Sequence, residues 1–114
     1  SGVLYCTGYT SSSDFLVTDG AFCTTSMGKT DVFILGINGS GGSLIFSSLI
    51  GGGEYDRGSG IAIDGGGNLY LTGYTTSSTF PTTSGALDQI LGGPSDLFLC
   101  VLTRDGTSLV YSSF

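Results

Sequence analysis

Catalysis needs a group that attacks, a group that moves a proton, or a bound metal, and the chain can be searched for each. Its 114 residues contain no histidine, three cysteines and nine carboxylates. Without histidine, neither a Ser-His-Asp nor a Cys-His arrangement can be assembled, and zinc sites built from His or from four Cys are equally out of reach. Paired carboxylates are the remaining acid–base device. Glu54 and Asp56 stand two apart, but they fall in the glycine-rich run GGGEYDRGSG beside Arg57, with no apolar segment to raise a pKa. Loop hydrogen bonds and a local ion pair are expected of them. The segment from Asp64 to Asn68, DGGGN, lacks the alternating oxygen ligands of a calcium loop and reads as a hairpin turn. The triplets Gly51 to Gly53 and Gly65 to Gly67 lead into no helix that could hold a phosphate. No catalytic residue, no metal site and no cofactor is expected.

What remains could bind or crosslink rather than react. Cys6 and Cys100 lie in apolar bursts and read as small buried thiols, whereas Cys23 falls in a long polar stretch. A Cys6–Cys23 bridge, or a bond from Cys23 to another chain, is the alternative, and the odd count leaves at least one cysteine unpaired. Asn38-Gly39-Ser40 is a glycosylation sequon placed where a tight turn is also expected. Tyr5, Tyr9, Tyr70 and Tyr74 could stack on sugar faces if exposed, or pack between sheets if not.

A repeat positions these residues. LYCTGYTSSSDF from Leu4 returns 65 residues later as LYLTGYTTSSTF from Leu69, and the register holds without a gap to Leu49 and Phe114. It pairs Gly8 with Gly73, Phe15 with Phe80, Asp31 with Asp96, Phe33 with Phe98 and Leu44 with Leu109. Self-similarity at a fixed period marks units that bury their apolar faces by stacking on neighbours. Ile50 to Gly65 has one copy only, giving a partial repeat over 1–49 and a complete one over 50–114. With no initiator Met and no leader at Ser1, the chain reads as a processed or excised piece. Asp31 and Asp96, present in both units, are expected to cap turns rather than to form a singular site.

Apolar residues come in short β-rich bursts separated by Gly, Asp, Asn and Ser, and no window sustains a helical period. The bursts predict strands over Val3–Tyr9, Asp31–Ile37, Ser43–Leu49, Gly60–Asp64, Asn68–Tyr74, Asp96–Leu102 and Ser108–Phe114. DGGGN and Arg104-Asp105-Gly106 supply the tight turns of antiparallel neighbours. The stretches of about twenty residues after Tyr9 and Tyr74 should be surface loops pinned by Phe15 and Phe80. One unit is therefore strand, turn, strand, long loop, strand, turn, strand: an all-β chain of antiparallel four-stranded blades of β-propeller type. VFILGI and LFLCVL, apolar on both faces, should be sandwiched between sheets.

Net charge is −6, with Lys29, Arg57 and Arg104 the only bases, so nucleic acid and anionic lipid are not expected partners. The longest apolar run, Leu97 to Leu102, is six residues, and no membrane insertion is expected. Three cysteines, few charges, abundant Ser and Thr and the sequon together favour an extracellular or cell-surface setting.

The stretches SGIAIDGGGNLYLTGYTTSSTFPTTSGA and SDLFLCVLTRDGTSLVYSSF, with SSLIGGGEYDRG between units, resemble the SBBP family of bacterial and archaeal β-propeller repeats over nearly the whole chain. The first copy departs from the pattern with Leu16 for Pro81, Cys6 for Leu71 and Cys23 for Asp88. The resemblance implies stacked blades in large exported proteins and implies no catalytic residue. The expected function is a non-enzymatic structural or adhesive subunit that self-associates through open strand edges into a filament or sheath. The alternative is a fragment of a larger glycan- or protein-binding propeller.

Overall fold

The computed structural model describes residues 2–114, and within them every regular element is a strand. β1 (Val3–Thr10), β2 (Asp31–Asn38) and β3 (Leu44–Ile50) form one antiparallel sheet in that order. β4 (Asp56–Ile63), β5 (Leu69–Thr75), β6 (Asp96–Leu102) and β7 (Leu109–Ser113) form a second, four-stranded antiparallel sheet. The fold is thus the expected one of β-propeller blades, with three strands in the first and four in the second.

Alternation along the strands gives each sheet two faces. Val32, Ile34, Phe46 and Ile50 of the first sheet form one buried cluster with Leu69, Leu71, Phe98, Cys100 and Leu102 of the second. The sheets therefore meet through opposite faces of the repeat, and the sandwich between them is the core of the chain. Each long loop is pinned as its phenylalanine predicts. Phe15 stacks on Phe33 with centroids 5.1 Å apart, and Phe80 lies 4.5 Å from Phe98. Beneath these rings sit Gly8 and Gly73, where a Cβ would come within 2.9 Å of the Phe33 and Phe98 rings.

The loops also cover strand edges. Thr18 exchanges backbone and hydroxyl bonds with Ser47 on β3, and Thr83 does the same with Ser112 on β7. An edge bonded to its own loop offers no row of free N–H and C=O groups. The tight turns repeat too: Gly41 N donates to Asn38 O at 2.8 Å, and Gly106 N donates to Thr103 O at 2.9 Å. Gly41 and Gly106 adopt φ of +77° and +71°, the left-handed region that only glycine enters without strain.

Two expectations need correction. β4 begins at Asp56 rather than Gly60, so half of GGGEYDRGSG is strand. Glycines argue against a strand by propensity, but a bulge between Gly58 and Gly60 keeps the pairing going. A Cβ on Gly58 would meet Thr7 Oγ1 at 2.5 Å, so the first sheet's approach demands glycine there. Second, neither β2 nor β6 is sandwiched between two sheets: each has the other sheet on one face only, leaving Leu35 and Ile37 half-buried on β2 and Leu97 and Leu99 exposed on β6.

Candidate functional site

The densest polar chemistry lies where the two sheets join. Asp31, at the start of β2, and Asp56, at the start of β4, are both buried, at 1% and 0% exposure. Asp31 Oδ2 accepts from Ser26 Oγ and Met27 N, each at 2.9 Å, which is the turn cap expected of it. Asp96 caps the matching turn by accepting from Gly92 N at 3.1 Å. Asp56 Oδ1 accepts from Thr75 Oγ1 at 2.5 Å, and its Oδ2 accepts from Gly52 N at 2.9 Å and Ser77 Oγ at 3.2 Å. A Cβ on Gly51 would stand 2.5 Å from Asp31 Oδ1 and 2.7 Å from Asp56 Oδ2, so those oxygens are no more than about 5 Å apart, close enough for their charges to couple.

Burial is the main force raising the Asp56 pKa above the ordinary carboxylate range, and the neighbouring Asp31 charge adds to it. Hydrogen bonds from Thr75, Gly52 and Ser77 pull the other way. Asp31 Oδ1 is buried without a partner. Both carboxyls are shut off from solvent, and hydrogen bonds from within the chain occupy Asp56. The arrangement ties the turn before β2, the glycines after β3 and the starts of β4 and the second long loop into one junction.

Of the two carboxylates of GGGEYDRGSG, Asp56 takes the loop hydrogen bonds and Glu54 the local ion pair. Glu54 points outward and pairs with Lys29 at 2.6 Å, while the Lys29 ammonium also lies 5.2 Å from the Tyr55 ring. The Lys29 pKa is raised by that pairing. Arg57 lies instead over two aromatic rings, 4.4 Å from Tyr9 and 5.8 Å from Tyr74, which are equivalent residues of the two units. Neither grouping was legible in the sequence, because Lys29, Tyr9 and Tyr74 are distant along the chain from the single-copy residues they meet. The one legible signal was that Asp56 and Arg57 follow glycines that leave room for close neighbours.

The four tyrosines do not form one platform. Tyr5 packs against Phe46 at 6.2 Å between the sheets, Tyr9 and Tyr74 carry Arg57, and Tyr70 donates its hydroxyl to Asp64 Oδ2 at 3.1 Å. Tyr70 and Tyr9 keep exposed ring surface. Asp64 also accepts from Gly66 N, Asn68 N and Asn68 Nδ2, which holds its pKa down and closes the hairpin turn expected there. Asn38 lies at its turn, with Oδ1 accepting from Ser40 Oγ at 2.7 Å.

All three cysteines are free thiols, and the Cys6–Cys23 bridge is not formed. Cys6 sits on β1, whereas Cys23 bonds Leu49 and Ser48 along the outer side of β3. Three strand spacings separate them, about 14 Å, twice the Cα–Cα reach of a disulfide. Cys100 is buried among apolar side chains, and that burial pushes its pKa to about 12.

A family model described as SBBP, Beta-propeller repeat, matches residues 45–81, from β3 through the carboxylate junction and the β4–β5 hairpin to the Phe80 anchor. No curated protein matches the sequence. The match runs from the last strand of the three-stranded sheet into the first two strands of the four-stranded one, so residues 45–81 are similar to an SBBP β-propeller repeat.

Proposed function

We propose that this chain is a non-enzymatic structural subunit that binds other copies of itself, building a filament, sheath or adhesive layer outside the cell. The observation that supports the reading is its distribution of apolar surface. Large hydrophobic side chains, Leu4 at one end of the two-sheet stack and Leu97 at the other, stay exposed although the core between the sheets is closed. Contiguous exposed apolar surface is the mark of an association site. β1 adds an edge paired only to β2, a template on which a further strand could add.

The buried carboxylates supply rigidity at the junction rather than chemistry. The extracellular setting rests on composition: few charges, many hydroxyls and free cysteines that an oxidising environment could link between chains. Light scattering on the purified chain, followed by electron microscopy, tests the reading. Growing particles with a regular repeat are expected, and a monomer at every concentration would exclude self-association and favour a fragment of a ligand-binding propeller.

A further inference from the structure

The contact between the two sheets is a template, because each side of it recurs unoccupied at the opposite end of the chain. On one side of the buried contact stand Ile34, Phe46 and Phe22; their counterparts 65 residues on are Leu99, Tyr111 and Leu87. Ile34 is 0% exposed and Phe22 packs on the core, yet Leu99 is 44% exposed and Leu87 is 92% exposed. On the other side stand Leu69, Leu71 and Leu102; their counterparts 65 residues back are Leu4, Cys6 and Ile37. Leu69 is 0% exposed where Leu4 is 60% exposed.

The turns tell the same story. Phe22 N donates to Gly106 O at 3.0 Å, and Phe46 lies so close over Gly106 that a Cβ there would be 2.6 Å from its ring. Gly41 holds the same turn and nearly the same φ, but nothing lies within 4 Å of a Cβ built on it. The socket that receives Phe46 inside the chain is thus present and empty in the first unit, while the second unit carries Tyr111, the plug of the same position. Gly20 and Gly85 repeat the contrast: the first would meet Thr107 at 3.8 Å, the second meets nothing.

We infer that the face of the second sheet bearing Leu99, Tyr111 and Leu87 docks on the face of the first sheet bearing Leu4, Ile37 and Gly41 in a second copy of this chain. The contact repeats the register already used between the two sheets. It rests on the self-association reading and gives that reading a surface: sheet faces rather than strand edges. Tyr111 of one copy seats over the Gly41 turn of the next. The Leu87 N–H, which bonds the Tyr111 hydroxyl at 3.2 Å within the chain, turns to the Gly41 carbonyl. Because the two faces differ, the contact is head to tail, and it propagates into an open stack or closes into a ring.

Leu4→Glu blocks only the receiving face, and Leu99→Glu blocks only the docking face. Both side chains are already exposed in the isolated chain, so each variant keeps its fold, which far-ultraviolet circular dichroism verifies. In sedimentation velocity the wild-type chain is expected to form a series of oligomers and each variant alone to lose them. An equimolar mixture is expected to give a species of two chains that grows no further, since one intact face of each kind remains. A wild-type chain that never associates overturns the self-association reading itself. A wild-type chain that associates while either variant alone still does so, or a mixture that gives no dimer, overturns the docking surface and leaves self-association standing on the β1 edge.

Discussion

Two phenylalanines with the same role in the repeat should differ sharply in energetic weight, because one lies inside the stack and the other at its end. Phe80 is 3% exposed, packed between the sheets against Phe98 and, at 6.3 Å, Phe114. Truncating such a side chain forfeits its transfer energy and leaves a cavity, so Phe80→Ala should cost about 3–5 kcal/mol. Phe15 stacks on Phe33 but is only half-buried, and Phe15→Ala should cost about 1–2 kcal/mol. At roughly 4 °C per kcal/mol for a chain of this length, the melting temperature should fall by about 12–20 °C for Phe80 and about 4–8 °C for Phe15. Guanidinium and thermal unfolding of dilute protein, followed by circular dichroism, measure both. Equal losses, or a larger loss at Phe15, would refute the claim that only one face of each unit is sealed. At concentrations where copies stack, the Phe15→Ala loss should climb towards that of Phe80→Ala.

Gly73→Ala should be far more damaging than Gly8→Ala, because a Cβ at 73 strikes the Arg57 carbonyl of β4, whereas at 8 it meets only the end of the Phe33 ring. Expected losses are about 3 kcal/mol or more against about 1 kcal/mol in the same unfolding assay. In the folded chain a thiol reagent at pH 8 should label Cys6 and Cys23 and spare Cys100, whose thiolate fraction at a pKa of about 12 is on the order of one in ten thousand. Labelling of all three at the same rate, read by intact mass, would contradict the buried position. Asp56 holds its proton more tightly folded than unfolded, so its contribution to stability is greatest below the ordinary value of about 3.9 and is lost as pH rises through its raised pKa. Asp56→Asn should remove that dependence: the denaturation midpoint of the wild type, taken relative to the variant, should fall from pH 4 to pH 7, and a constant difference would count against the coupled pair.

The strands were legible because the repeat doubles each local signal: Gly8 with Gly73 and Phe33 with Phe98 mark the same strand positions twice. The start of β4 was not, since Gly58 and Gly60 lower strand propensity there, although Thr7 and Val32 of the other sheet require the glycine at 58. The Asp31–Asp56 junction and the Arg57 bridge between Tyr9 and Tyr74 were hidden for a different reason. Sheet stacking alone makes Asp31 a neighbour of Asp56 and Tyr9 a neighbour of Arg57, while Tyr74 reaches Arg57 as its cross-strand partner. Nor could periodicity reveal that Leu99 is open where Ile34 is closed, because identical patterns acquire different burial from their place in the stack.

Two stacked blades leave two complementary faces, one on the outer side of each sheet. The weight-average mass of the wild-type chain in solution, followed by light scattering as concentration is raised, tests their complementarity most directly. The mass should rise well above the 11.6 kDa of one chain and fall back to it with Leu99→Glu. A mass fixed at 11.6 kDa throughout the range would contradict it.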